Sequence, residues 1–103
     1  MSKPIFSNDN FINWLERKDP TEVYRYDDMT SCCIAQYLQE LGFRYVKVDI
    51  DKMMFVDHSG RDIQRRVPQG WDEVAKGMFN ETGAPYETFG AALRRARRVL
   101  VAA

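Results

Sequence analysis

The spacing of apolar residues changes period at Gly42, and no other feature of the chain constrains its fold as tightly. Before that glycine, Ile34, Tyr37, Leu38 and Leu41 recur as one face of a helix. After it, Val46, Val48 and Ile50 alternate with Tyr45, Lys47 and Asp49, the pattern of a half-buried strand. Glycine suits the junction because it takes the left-handed conformation that ends a helix. A helix feeding directly into a one-sided strand requires further strands beside the first and helices packed over them.

The rest of the chain supplies both. Ser7 is placed to cap a helix over residues 8–17, where Phe11, Ile12, Trp14 and Leu15 share one arc. Asp19, Pro20 and Glu22 read as a second helix start, but one lasting a single turn, because residues 23–26 look extended. Thr30 or Ser31 caps the next helix, over 31–41, with Cys33 at the border of its apolar face and Cys32 pointing away beside Gln36 and Gln39. Residues 44–50 form the first strand, a tight turn lies near Asp51 and Lys52, and 53–56 form the second strand. Asp57, His58, Ser59 and Gly60 make a turn signal, after which Ile63, Arg65 and Val67 mark a third strand within 61–67. Trp71, Val74, Ala75, Met78 and Phe79 follow helical spacing over 69–79, residues 80–85 break it, and a last helix covers 86–101 with Phe89, Leu93, Ala96 and Leu100 in one stripe. Gly77 and Gly90 sit inside these helices, where they allow close packing. The expected fold is α+β: a three-stranded antiparallel meander with two helices before and two after, packed on one face.

At 103 residues the chain reads as one domain with one modest core. The formal charge is zero but uneven: residues 1–60 hold seven Lys/Arg against ten Asp/Glu, and 61–103 hold eight against five. That imbalance is too mild to imply nucleic acid by itself. No apolar run has the length of a signal peptide or a membrane span, so a cytoplasmic protein without a membrane partner is expected. The adjacent cysteines close no loop, and a reducing compartment fits them. The glycines make no phosphate cradle, Glu16, Glu22 and Glu40 make no carboxylate pair, and no cofactor is implied.

Three groups of residues invite a functional reading. A cysteine at the start of a helix can lose its proton more easily, so Cys32 or Cys33 with His58 as base would make a thiol enzyme. Against it stand Asp27 and Asp28, which oppose a thiolate, and the turn setting of His58. The competing reading, a small core Cys33 with Cys32 as a neutral spacer, is the stronger one. Structural zinc is disfavoured because adjacent cysteines do not chelate one ion comfortably. The second group is Arg94, Arg95, Arg97 and Arg98, opposite the apolar stripe of the last helix. They form either a solvated face or a basic ridge for phosphate or an acidic partner, extendable by Arg61, Arg65 and Arg66. The third is Tyr24 and Tyr26 beside Asp27 and Asp28, an interface composition unless the tyrosines lean on the core.

The series Phe11-x-x-Trp14-Leu15, Asp19-Pro20 and Tyr24-x-Tyr26-x-Asp28-x-x-x-Cys32-x-x-x-Gln36-Tyr37-Leu38 resembles short proteins of uncharacterised function carried by bacteria and their phages. The closing Thr88-Phe89-Gly90-Ala91-Ala92-Leu93-Arg94-Arg95 is similar to the tails of such proteins. The resemblance implies a mobile-element context, in which short single-domain proteins act by binding, as anti-CRISPR and other anti-defence inhibitors do. It carries no catalytic residue across. The expected function is therefore a non-enzymatic protein-interaction module, monomer or homodimer, with Tyr24, Tyr26, Asp27 and Asp28 facing a basic surface and the arginines an acidic one. A nucleic-acid-binding module and a Cys–His thiol enzyme are the alternatives.

Overall fold

The computed structural model describes residues 5–76 and 87–101. The chain runs α1 (Asn8–Glu16), α2 (Cys33–Glu40), β1 (Arg44–Val48), β2 (Lys52–Val56), β3 (Asp62–Arg66), α3 (Trp71–Lys76) and α4 (Phe89–Val99). The strands form an antiparallel meander in the order β1-β2-β3. This is the α+β arrangement expected, third strand included. The expected continuation of α3 through Gly77, Met78 and Phe79, the break at 80–85 and the start of the last helix at 86 lie outside the described residues.

Local chemistry sets the element ends. The Ser7 hydroxyl accepts the Asn10 N–H at 3.1 Å and caps α1. Gly42, at φ +95°, ends α2, and a Cβ there would lie 3.0 Å from His58 Nε2. The cap of α2 differs from expectation. It is Cys32, whose sulfur accepts the Ala35 N–H at 3.4 Å, because Asp28 has already taken Thr30 and Ser31 into a preceding turn. The cap position has extended backbone, so the helical wheel does not apply to it, and Cys32 turns inward instead of out beside Gln36 and Gln39. At α4, Thr88 caps through the Ala91 N–H at 3.2 Å.

One cluster of buried side chains joins the helices to the sheet. Val46 and Val48 of β1 and Met53 and Phe55 of β2 face it, so the sheet buries one side. A bulge in β1 makes this possible. Arg44 pairs with Val56 and Lys47 with Met54, so β1 carries one extra residue, and Tyr45 absorbs it at φ +54° with its ring 79% exposed. Ile50 departs from the expected alternation. The connection between β1 and β2 occupies residues 49–51, closed by Asp49 N–H to Lys52 O at 2.8 Å, and it turns Ile50 outward to 67% exposure.

Aromatic rings dominate the helical layer. Phe11 stacks on Trp71 at 4.1 Å between centroids, and Tyr37 meets Phe11, Trp14 and Trp71 edge-on. The two indoles have partners: Trp71 Nε1 donates to Asn8 Oδ1 at 2.8 Å and Trp14 Nε1 to Glu40 Oε1 at 3.1 Å. Burial pushes the Glu40 carboxyl up, but Trp14 and the Lys18 ammonium at 3.0 Å outweigh it and leave Glu40 below its ordinary value.

The segment between α1 and α2 is strapped to the start of α4. Asp19 closes one turn by accepting the Thr21 N–H and hydroxyl, as expected from a lone helix start. Val23 then bridges Thr88, Phe89 N–H reaches Glu22 O at 3.0 Å, and Gly90 N–H reaches Pro20 O at 3.0 Å. A Cβ on Gly90 would meet Pro20 O at 2.8 Å, so only glycine permits this approach.

Candidate functional site

The segment from Tyr24 to Asp28 splits its residues between three environments. Tyr24 turns inward and is 1% exposed. Its hydroxyl donates to Ala75 O at 2.5 Å and accepts from Arg95 Nη2 at 2.8 Å. Arg95 is equally buried, and its Nε donates to Val74 O at 2.7 Å. A guanidinium thus sits on a backbone carbonyl of α3. Desolvation pushes the Tyr24 hydroxyl far above its ordinary value, so it stays protonated as the donor to Ala75.

This corrects two of the expected contact residues. Tyr24 and Arg95 cannot face a partner, because both are consumed in tying the loop, α3 and α4 together. The helical wheel shows the reason for Arg95: α4 buries Ala91, Ala92 and Ala96 beside Phe89, a wider arc than the Phe89–Leu93–Ala96–Leu100 stripe, and Arg95 falls within it. Small alanines there leave room for a long side chain to cross to α3. The outward basic face consists of Arg94, Arg97 and Arg98. Arg97 bonds Glu16 Oε2 on α1 at 2.8 Å. Arg65 of β3 does not join it, since its guanidinium lies 4.0 Å over the Phe6 ring.

Asp28 is a turn former. Its Oδ1 accepts the N–H and hydroxyl of Thr30 at 2.9 and 2.8 Å, and these bonds, the backbone one first, hold its carboxyl below the ordinary range. Asp27 faces solvent and among the described residues makes only a long contact of 3.7 Å with Arg25, two largely exposed groups whose attraction water screens. Tyr26 is half-buried. Its hydroxyl donates to Asp72 Oδ1 at 2.7 Å, and its N–H donates to Glu87 at 3.1 Å. Desolvation, then the Asp72 carboxylate, pushes its hydroxyl above the ordinary value.

Around Tyr26 and Asp27 opens a groove of about 210 Å³. Its floor is Ile34, Val48, Ala75 and Cys32, and Met29 and Ile50 stand exposed at its lip. Asp27, Asp49 and Asp72 bring three carboxylates to it, from the loop, the β1–β2 turn and α3. Among the described residues no lysine or arginine lines it. The Met29 carbonyl accepts the Val48 N–H at 2.9 Å, which fixes the lip to the sheet.

Chain comparisons add no relative. No family model, no curated protein and no solved structure matches this sequence.

Cys32 lines the floor of this groove and Cys33 is fully buried, and neither thiol is arranged for nucleophilic chemistry. Burial pushes Cys33 far up and Cys32 up as well, the reverse of an activated thiolate. His58 stacks on Phe43 and places Nε2 3.0 Å from Leu41 O, at the opposite end of α2 from Cys32. Eight helical residues, about 12 Å of rise, separate those ends. No group of three or more metal-ligating side chains converges among the described residues.

Of the contact residues expected from sequence, Tyr26 and Asp27 line this groove, and Met29, Asp49, Ile50 and Asp72, which line it too, were not among them. Three of these have a local explanation that conceals them. Asp49 accepts the Ile50 N–H in a turn, Asp72 sits in the first turn of α3 where carboxylates are common, and Ile50 reads as the end of a strand. The one available signal was Ile50, an apolar residue flanked by Asp49 and Asp51 at a predicted turn.

Proposed function

We propose that the chain is a protein-interaction module that acts sterically, occupying a surface its target needs, as anti-defence inhibitors of phage do. One observation carries this reading: an apolar groove rimmed by Asp27, Asp49 and Asp72, with exposed Met29 and Ile50 at its lip and no basic side chain among its described lining. Such a patch suits a basic partner surface, because complementary charge speeds encounter and apolar contact slows release. The target would be a larger host complex with a basic working surface, such as one that processes nucleic acid. Two free, buried thiols suit a reducing cytoplasm.

The exposed Arg94 and Arg98 offer a second charged face, for an acidic partner or for phosphate. The test separates these possibilities. Tagged protein is used to capture partners from bacterial lysate, with and without nuclease, alongside D27K/D49K and R94E/R98E variants. A stoichiometric protein that survives nuclease and is lost with D27K/D49K is the expected result. Recovery that vanishes with nuclease and with R94E/R98E would replace this reading with nucleic-acid binding. A partner retained equally by both variants would contradict it.

A further inference from the structure

The groove specifies the chemistry of its occupant more narrowly than charge alone. The Tyr26 hydroxyl already occupies Asp72 Oδ1, and Oδ2 accepts no bond from the described residues. Asp49 uses Oδ1 within its own turn, and among the described residues Asp27 makes only the long contact with Arg25. Carboxylate oxygens along the groove therefore remain available to a donor with several N–H groups spread in a plane. Tyr26 lines the groove with them, beside apolar Ile34, Val48 and Ala75. A guanidinium matches both, since it donates in several directions, stacks on aromatic faces and loses less hydration than an ammonium. A metal ion fits poorly, because among the described residues Asp27, Asp49 and Asp72 stand too far apart to close on a single ion.

We infer that the groove receives an arginine side chain from an exposed basic segment of a partner protein. Its guanidinium sits among Asp27, Asp49 and Asp72, and a neighbouring apolar residue of that segment sits on Met29 and Ile50. This inference rests on the protein-interaction reading above.

The test titrates the ¹⁵N-labelled full chain with the capped peptide Ac-Leu-Arg-Leu-NH₂, using Ac-Leu-Gln-Leu-NH₂ as control, and follows amide shifts. The arginine peptide is expected to move Tyr26, Asp27, Ile50 and Asp72 and to bind at least about tenfold tighter than the glutamine peptide. D27N/D49N, which keeps side-chain size and leaves the core untouched, is expected to abolish that difference, as is salt raised to about 0.5 M. Equal binding of both peptides, shifts mapping elsewhere, or no shift at millimolar peptide would overturn the inference. So would self-association of the protein alone that R94E/R98E removes, since a second copy would then fill the groove. The two readings fail separately. A captured partner that is lost with D27K/D49K but indifferent to D27N/D49N leaves the interaction module standing without an arginine in its groove, and peptide binding with no captured partner does the reverse.

Discussion

Four arginines stand within five positions of α4, and they do different things. Arg95 is a buried structural cation; Arg94 and Arg98 face solvent. Removing Arg95 would leave the Val74 carbonyl and the Tyr24 hydroxyl without their donor in the interior, at a cost of about 2–4 kcal/mol. Arg95→Ala should therefore lower the melting temperature by roughly 10 °C or more, while Arg94→Ala and Arg98→Ala change stability by less than about 0.5 kcal/mol. Equal effects at the three positions in thermal melts would refute the assignment. The sequence offered no warning, because a run of arginines opposite an apolar stripe reads as a solvated ridge, and the carbonyls that receive Arg95 belong to another helix. The thiols were more legible: a core role for Cys33 followed from its place beside Ile34 and Tyr37. Both thiols should label with iodoacetamide far more slowly than a free cysteine below pH 7, and at the ordinary rate once the chain is unfolded. Rapid labelling of the folded protein would return Cys32 to consideration as a nucleophile.

Among the elements, legibility tracked periodicity. In α1 all four apolar positions are buried, and the register of β2 with β3 is unbroken over five pairs. Where the chain breaks period, the reading failed: the bulge at Tyr45 and the outward turn of Ile50 depend on how two strands meet, which no single strand encodes. Gly90 shows the intermediate case. Its place inside a helix pointed to a close approach, and the structure supplies the neighbour, Pro20, held by a hydrogen bond from Gly90 itself. Gly90→Ala would gain about 1 kcal/mol of helix propensity and yet should destabilise by roughly 1–3 kcal/mol, because backbone at Pro20 must move. Chemical denaturation measures the sign directly. A stabilised variant would mean the strap between residues 20–24 and α4 is not held as described.

At the scale of the whole molecule, titration frames the conditions under which the groove exists. Asp19, Asp28, Asp57 and Glu40 are held below their ordinary values, so the stability they contribute is present above about pH 4.5 and is lost as pH falls through their folded-state values. Tyr24, Tyr26 and Cys33 are held above theirs. Their contribution is complete below about pH 8.5 and is lost as pH rises toward the folded-state values, because the unfolded chain ionises first. Denaturation midpoints should therefore be flat between these limits and fall on both sides, and a maximum near pH 4 would contradict the assignment. The groove itself gathers side chains from the loop, α2, β1, the β1–β2 turn and α3, which explains why its composition was only half visible in sequence. Within the flat range, the decisive measurement is the affinity of the captured partner for wild type, D27K/D49K and R94E/R98E, each confirmed folded by its melt. A loss of at least about tenfold in D27K/D49K alone is the result this account predicts. Undiminished affinity in that variant would contradict it.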